Sequence, residues 1–559
     1  MEKIWLKSYP PGVPAEVDPG QLRTLKELLE TACAAYPKRV AFVQMGARLT
    51  YRQLDVLSTA FAAWLQAAGL RKGDRFAIML PNTLQYPIAL FGALRAGLVV
   101  VNTSPLYTQP ELEHQLTDSG ASGILVLENF AHGLAKVLAR TQVKHVLVTS
   151  VGELLPFPKS HLVNYVVRRV RKQVPRWHIP GATRFAAALA SGRRATLAPV
   201  ELGPEDLAFL QYTGGTTGVA KGAMLSHGNI SVNVLQSVAW IGRVFTDNAG
   251  VLITAIPLYH IFALSGNCMV FVRLGWTNVL IINPRDLPAF VKEMMRHPPN
   301  YLSGVNTLFN ALLHAPGFAR IDFTGLKVTL GGGMAVQAAV AERWKKATGN
   351  TLTQAWGLTE TSPAATINPN QEDFNGSIGL PLPSTEITIK DDAGNDLPLG
   401  QNGEICVRGP QVMKGYWNKP EETAKVMLPG GWLRTGDVGH MDERGYVYIE
   451  DRKKDMILVS GFNVYPNEVE SAVVTHPGVL EVAAVSQPDE HSGEVVALFV
   501  VRKDPNVTDR DIIDHARKSL AGYKVPRHVY FRTELPKTNV GKILRKALRD
   551  ELASKPLPS

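Results

Sequence analysis

Two hydrophobic periods alternate along most of this chain. Short runs of aliphatic and β-branched residues are followed by longer stretches whose apolar positions recur every three or four residues. These are the patterns of a buried strand and an amphipathic helix. Arg75–Leu80 reads as a strand and Gln85–Arg95 as the helix after it; Gly123–Leu127 and Ala131–Thr141 repeat the pair. Val251–Ile256 then Pro288–Arg296, and Lys327–Leu330 then Val336–Thr348, do the same further on. Such alternation predicts parallel sheets covered by helices. Turns rich in glycine and proline punctuate it, as at Gly379-Leu380-Pro381-Leu382-Pro383, and no repeat at a solenoid period runs through it.

The pattern changes at Asp451-Arg452-Lys453-Lys454-Asp455, where five charged residues separate two apolar strands. Beyond them, helices are expected near Tyr465–Thr475 and Asp509–Leu520, and strands near Glu481–Val485, Val495–Val501 and Val529–Phe531. About 100 residues suffice for a small domain, and a charged junction between two domains is a candidate hinge. The fold class predicted is therefore α/β. A large N-terminal domain, 1–453, of parallel-sheet α/β subdomains precedes a small mobile α+β C-terminal domain, 454–559, with the hinge near Lys454.

The length of 559 residues exceeds what one core supports, in keeping with that division. A composition of 45% hydrophobic and 19% charged residues is that of a globular enzyme and excludes a disordered or fibrous chain. The net charge of +10 suits anionic ligands or an anionic membrane surface. No RNP-like aromatic cluster, zinc-finger spacing or recognition-helix signature directs it to nucleic acid. Cys33, Cys268 and Cys406 stand far apart without a C-x-x-C pair, which points to a reducing compartment and away from a zinc site or disulfide framework. Met1–Lys7 lacks the apolar core of a signal peptide, and the longest apolar stretch, Phe262–Ile282, is broken by Asn267 and Arg273. A cytoplasmic protein is expected, soluble or peripheral on the cytoplasmic face of the membrane. Tyr165–Trp177 is basic and apolar at once and ends in a tryptophan; an anionic membrane surface and a solvated helix face account for it equally.

The densest chemistry lies in Tyr212-Thr213-Gly214-Gly215-Thr216-Thr217-Gly218-Val219-Ala220-Lys221-Gly222, between the strand-like Ala208–Leu210 and Ala223–Leu225. Glycines let backbone approach an anion closely. Successive N–H groups form an anion-binding concavity, and a lysine adds a point charge suited to phosphate. The segment reads as a polyphosphate cradle. Val219 and Ala220 between Gly218 and Lys221 exclude the Walker A pattern.

Four further segments are weaker when taken singly. Gln354–Thr361, after the strand-like Thr351–Thr353, offers an aromatic for base stacking and a Thr-Glu pair for phosphate and Mg²⁺, or merely caps a helix. Gly431–Gly439 sets Asp437 in a glycine-flanked turn, where its carboxylate suits ribose hydroxyls or an Asx-turn. Leu535–Lys546 places Lys542 on a glycine loop before a basic helix, otherwise a solvated tail. Pro257–Phe262 sets His260 among aromatic and apolar residues, as a core histidine or as the gate of a carboxylate pocket. No G-x-S-x-G nucleophile elbow occurs.

Taken together and in this order, the segments resemble the adenylate-forming superfamily of acyl-CoA synthetases, luciferases and peptide-synthetase adenylation domains, over nearly the whole chain. The resemblance is closer still to bacterial long-chain fatty acid–CoA ligases at Met1–Lys7, Pro105–Tyr107, Ser303–Asn310 and Leu458–Pro466. It implies that Thr213, Gly214, Gly215, Thr216, Thr217, Gly218 and Lys221 hold the phosphates of ATP. Gly332, Gly333, Gln354, Ala355, Trp356 and Gly357 would form the adenine pocket, with Trp356 where tyrosine is usual. Thr359 would bond phosphate, Glu360 and Thr217 would hold Mg²⁺, and Asp437 and Arg452 would hold the nucleotide. Lys454 falls at the hinge, Gly461 in the loop presented to CoA, and Leu264 where some members carry a gating tryptophan. The implied catalytic set is Lys542, Lys221, Glu360 and His260. The implied reaction joins a fatty acid to ATP as acyl-AMP with release of pyrophosphate, then passes the acyl group to CoA. A ligase that loads a carrier protein from acyl-AMP and a catalytically silent sensor are the alternatives; intact Lys221, Glu360, Asp437 and Lys542 speak against the sensor. A homodimer is left open.

Overall fold

The computed structural model describes residues 2–213, 220–245, 249–370, 372–489, 491–538 and 541–554. The expected alternation forms: strands Arg75–Met79, Gly123–Leu127, Val251–Thr254 and Val328–Gly331 are followed in the chain by helices Gln85–Arg95, Ala131–Val137, Leu287–Arg296 and Ala338–Thr348. Local signals set the helix ends. The Asp286 carboxylate accepts from the Ala289 N–H ahead of Pro288 in the first turn of Leu287–Arg296. Gly349, at φ +73°, closes Ala338–Thr348 in the left-handed region.

Two large sheets carry the N-terminal part. The first has nine strands, with Leu352–Gly357, Val328–Gly331, Tyr301–Gly304, Val251–Thr254, Thr277–Leu280 and Val40–Gln44 parallel in that spatial order. The second has seven, parallel from Thr183–Arg184 to Leu207–Thr213 and closed by the antiparallel strand Lys221–Ser226. Helices fill the space between them. All residues of Gln85–Arg95 are buried, as expected of a helix covered on every side. Gly92 lets it close on its neighbour, since a Cβ there would sit 2.7 Å from the Phe61 ring. A continuous core joins Phe76 and Phe209 of one sheet to Phe42, Leu252 and Tyr301 of the other.

A third, antiparallel sheet contains Trp432–Met441 paired with Val447–Arg452. The C-terminal sheet begins at Ile457–Val459 and centres on Gly493–Arg502, flanked by Val479–Asp489 and, in parallel, His528–Arg532. Helices Pro466–Val473, Asp509–Ala516 and Arg545–Ser554 complete this small unit.

Several expectations change. Asp437 lies within a ten-residue strand, Trp432–Met441, and not in a turn. Burial alternates strictly along that strand and turns Leu433, Thr435, Asp437, Gly439 and Met441 inward. Gln354–Gly357 does not follow a strand but forms the end of one, Leu352–Gly357. Leu380–Pro381 is an edge strand, where proline's missing N–H costs no ladder bond. The helical part of Tyr165–Trp177 ends at Val170, and Trp177 is half-buried beneath the Arg184 guanidinium at 5.7 Å, packed on the core. The three cysteines are buried and unpaired.

The small unit is tied to the end of Val447–Arg452 by one guanidinium. Arg545 bonds Glu470 at 3.0 and 2.9 Å, Asp451 at 2.9 Å and Asn467 at 2.6 Å. Asp451 is 1% exposed and also accepts from the Asn467 N–H. Burial holds the Glu470 carboxyl above its usual range despite Arg545, and the two carboxylates hold Arg545 above its own. Removing the cation from such a cluster strands two buried carboxylates. Arg545→Ala should therefore cost about 3–5 kcal/mol in the C-terminal unit. Urea unfolding followed by proteolysis near Lys453–Asp455 reads it, and unchanged protection there would contradict the linkage.

Candidate active site

A cavity of about 1160 Å³ opens where the parallel strands of the nine-stranded sheet end, between all three N-terminal sheets and the C-terminal unit. Crevices at the carboxyl ends of parallel strands are where open α/β sheets bind ligands. Glycines keep this mouth open. At Gly357 a Cβ would stand 1.8 Å from the Pro363 carbonyl oxygen. Gly332 sits against the Ala355 carbonyl and Phe262, and Gly333, at φ +79°, receives the end of Lys542, with Cε 3.2 Å from where a Cβ would be.

Thr213 and Lys221 face each other across the hairpin of the seven-stranded sheet and line the cavity. Gly214, Gly215, Thr216, Thr217 and Gly218, expected to cradle phosphate, lie outside the described residues. Lys221 Nζ is 2.7 Å from Glu422 Oε2 and 4.7 Å from the centre of the Tyr416 ring. The lysine holds the Glu422 carboxyl down at about 2. Tyr416 in turn donates to Glu360 Oε1 at 2.7 Å. Its segment is strapped alongside Lys221–Ser226: the Met224 N–H bonds the Gly415 carbonyl, and the Trp417 N–H bonds the Gly222 carbonyl. Neither Tyr416 nor Glu422 was foreseen, because both ties span many residues and no local pattern announces them.

Thr359 and Glu360 stand on the short turn Thr359–Thr361. Capping is done by Thr361, whose hydroxyl accepts from the Leu358 N–H at 2.9 Å, so Thr359 and Glu360 are left to the cavity. Glu360 keeps one oxygen beyond its bond to Tyr416. No group of three or more His, Cys, Asp or Glu side chains converges among the described residues. That donor set suits an ion completing its shell with ligand phosphates and water, and not an all-protein cage.

Asp437 is fully buried, and burial raises its pKa against the lowering by Arg452 and Trp356. Trp356 Nε1 donates to Oδ2 at 2.8 Å. Arg452 Nε lies 2.5 Å from Oδ1, yet that oxygen accepts no aligned hydrogen bond. A buried carboxylate oxygen with its charge balanced and its acceptor capacity unused is fitted to take a hydroxyl donor from a ligand. Gln354 also borders the cavity, but its amide is spent on the Val336 N–H and the Ser377 carbonyl, so it shapes the wall. Ala355 and Trp356 line the same wall.

Lys542 enters from the C-terminal unit on a loop docked by Thr307 Oγ1 on the Gly541 carbonyl at 2.9 Å. Its ammonium has no hydrogen bond or ion pair among the described residues. Withdrawal from water, reinforced by Arg452, pushes its pKa down to about 8. His260 caps the turn Ile261–Ala263, its Nδ1 accepting from the Phe262 N–H at 3.3 Å, which leaves the proton of the neutral ring on Nε2. Desolvation and the nearby Lys542 push it down to about 3, so it is neutral in working conditions. Ile241, Phe262, Gly266, Tyr301 and Leu330 also line the cavity and give it apolar wall. Leu264 is fully buried and is not among the cavity-lining residues. Lys454 lines the outer rim, while Gly461 sits at an exposed hairpin turn outside the cavity, at φ +85° with open space around it.

Comparison with known proteins finds relatives along the whole chain. The AMP-binding enzyme family matches residues 29–417, and the AMP-binding enzyme C-terminal domain matches 468–542. The long-chain-fatty-acid–CoA ligase of Escherichia coli O6:H1 is 54% identical over 99% of both chains. That of Bacillus subtilis is 40% identical over 98% of both. Among solved structures, an anthranilate CoA ligase in complex with anthranoyl-AMP has a TM-score of 0.86 at 25% identity, covering 96% of this chain and 99% of its own.

The indole bond to Asp437 yields a test. Trp356→Phe keeps an aromatic face and removes the donor to a buried carboxylate, a bond of the charged kind worth about 1.5–3 kcal/mol. AMP affinity by calorimetry should fall at least about tenfold. Unchanged affinity would show that the indole N–H does not prepare Asp437.

Proposed function

The chain belongs to the AMP-binding enzyme family, among its long-chain-fatty-acid–CoA ligases, and from that premise we propose how its residues divide the reaction. The observation that carries the reading is the buried Lys542 ammonium, without a hydrogen bond or ion pair among the described residues, held in the same cavity as the Asp437–Arg452 pair. An uncompensated cation in a partly dry site is costly unless an anion arrives to meet it.

ATP supplies that anion. Asp437 takes the ribose hydroxyls, Trp356 and the backbone from Gly332 to Gly333 flank the base, and Thr359 bonds phosphate. Lys221, with the loop from Thr213 to Gly218, takes the terminal phosphates and leaves Glu422 as it does so. The fatty acid chain lies against the apolar lining that includes Ile241 and Leu330, and the neutral Nε2–H of His260 orients the carboxylate without pairing with it as a cation would. A carboxylate oxygen then attacks the α-phosphorus, the bond to the bridging oxygen breaks, and pyrophosphate carries off the electron pair. Negative charge grows on the phosphate oxygens, so positioning and fixed positive charge do most of the work. Lys542 meets that charge at the α-phosphate and the attacking carboxylate. Glu360, with Thr217, is the holder for Mg²⁺, which when bound adds charge against the phosphates.

The second half-reaction needs a thiol at the acyl carbon. Lys542 occupies the approach, and the hairpin turn at Gly461 lies outside the cavity. Rotation of the C-terminal unit, from about residue 454 onward, withdraws the lysine and brings the Gly461 turn to the pantetheine arm. The CoA sulfur, its proton lost, then attacks the acyl carbon, and AMP leaves with the electrons of the broken acyl–oxygen bond.

Two measurements test the division of labour. Lys542→Ala should abolish pyrophosphate release from fatty acid and ATP while thioester formation from supplied acyl-AMP and CoA persists; equal loss in both would remove Lys542 from its role. The free-enzyme parameter kcat/KM for ATP should fall above about pH 8, where Lys542 loses its proton. The sign follows from a folded pKa below that of a free lysine: the catalytic charge is present below pH 8 and absent above it. No inflection from His260 should appear near pH 6.5, since its pKa is about 3. A profile flat through pH 9 would refute the assignment. AMP release against free acids from acetate to long chains, with CoA present, reads the acid preference.

A further inference from the structure

One surface stands apart from the catalytic cavity. Between Glu153 and Glu201 the chain has nine Lys and Arg and no Asp or Glu, almost its whole net charge of +10. The helix Lys159–Tyr165 continues as a wider π turn to Val170, and no residue of either is buried. Polar ties hold its inner side. Asn164 Oδ1 accepts from the Gly152 N–H at 2.9 Å. Arg168 makes two bonds of 2.8 Å to the buried Glu128, and Arg184 lies 3.5 Å from the same carboxylate. With Lys159 bonded to the Met45 carbonyl, three of the cations are thus spent internally.

The outer side is different. Phe157, Leu162, Tyr165 and Val170 are 82%, 63%, 61% and 63% exposed, four of the eleven large apolar side chains so exposed among the described residues. Arg169, Arg171, Lys172 and Arg176 are exposed nearby, with no side-chain hydrogen bond or ion pair among the described residues. A helix face meant only for water would show its cations and not these apolar groups. A nucleic acid would answer the charge and leave the apolar groups unused. We propose that the edge formed by residues 157–176 docks on an anionic lipid bilayer, its cations at the headgroups and its four apolar side chains at the acyl boundary. Activation of a long-chain acid gives such docking a use, but the surface stands independently of that reading.

Each cation brought to an anionic surface strengthens binding about fivefold. The test is sedimentation of the full chain with vesicles of phosphatidylcholine alone or mixed with phosphatidylglycerol, at low and high salt. Binding should require the anionic lipid and weaken with salt. The triple variant Arg169→Ser, Arg171→Ser, Lys172→Ser should bind about a hundredfold more weakly, and the double variant Leu162→Ser, Val170→Ser should also lose affinity. Pyrophosphate release with a soluble short acid should be unchanged in both, showing that they fold. Because the native cysteines are buried, Val170→Cys accepts an environment-sensitive fluorophore whose emission should shift blue on anionic vesicles. Equal recovery with neutral and anionic vesicles, or wild-type binding by both variants, overturns the proposal. So does a double variant that binds as tightly as wild type while duplex DNA displaces the protein from the vesicles.

Discussion

Holding a positive charge in a buried site, with no ion pair to it among the described residues, is the constraint on which the rest of this structure turns. Lys542 cannot stay charged in the cavity cheaply, and its lowered pKa expresses that cost. The geometry around it serves to keep it there. Gly333 gives up a side chain so that the lysine stem can pass, and Thr307 fixes the carbonyl of the preceding residue. Arg545 holds the C-terminal unit against Asp451, at the end of the strand whose next residue, Arg452, faces Asp437. The ammonium's position thus depends on a cross-domain chain of contacts, and a change at Arg545 acts on catalysis through that chain.

The outline of this fold was legible in the chain because its strands and helices are each locally consistent. Gly123–Leu127 and Gln85–Arg95 form with the ends read from periodicity alone. Legibility failed where one residue type supports two local structures. Asp437 between glycines reads as a turn, yet Gly436 and Gly439 here serve a twisted, irregular strand whose register shifts between Val438 and Gly439. The inward residues of Trp432–Met441 include Thr435, Asp437 and Gly439 and the outward ones Trp432 and Val438, so no alternation of apolar and polar types announced the strand. Leu380–Pro381 misled in the same way, since an edge strand tolerates the proline that a central strand would refuse.

The cavity was legible in the residues that line it and opaque in their supports. Lys221, Glu360, Asp437 and Lys542 stand in recognisable runs, because the chemistry of a nucleotide fixes both their types and their neighbours. Tyr416 and Glu422 do not. They act through contacts 56 and 201 residues away in sequence, and a tyrosine in a loop carries no local mark of the carboxylate that it will orient. Gln354 shows the converse: its place in the run suggests a ligand contact, while its amide is consumed in holding Val336 and Ser377.

The Lys221–Glu422 pair shows how the cavity can exist without its anions. Lys221 is paired with Glu422, whereas Lys542 has no ion pair among the described residues, so the two cations face an incoming polyphosphate on unequal terms. At Lys221 the phosphates exchange one anion for another, and the glutamate released is only partly buried and can turn to water. At Lys542 no ion pair among the described residues has to be exchanged, so most of the interaction is available to charge that arrives or develops there. Interactions gained only as charge develops accelerate a reaction, while those already present in the resting site chiefly set affinity. Under the proposed division of labour, Lys221 with Glu422 would govern how ATP is held, and Lys542 how fast it reacts. The asymmetry is that Lys221 is ion-paired with Glu422, whereas Lys542 forms no ion pair among the described residues and feels Asp437 only at longer range.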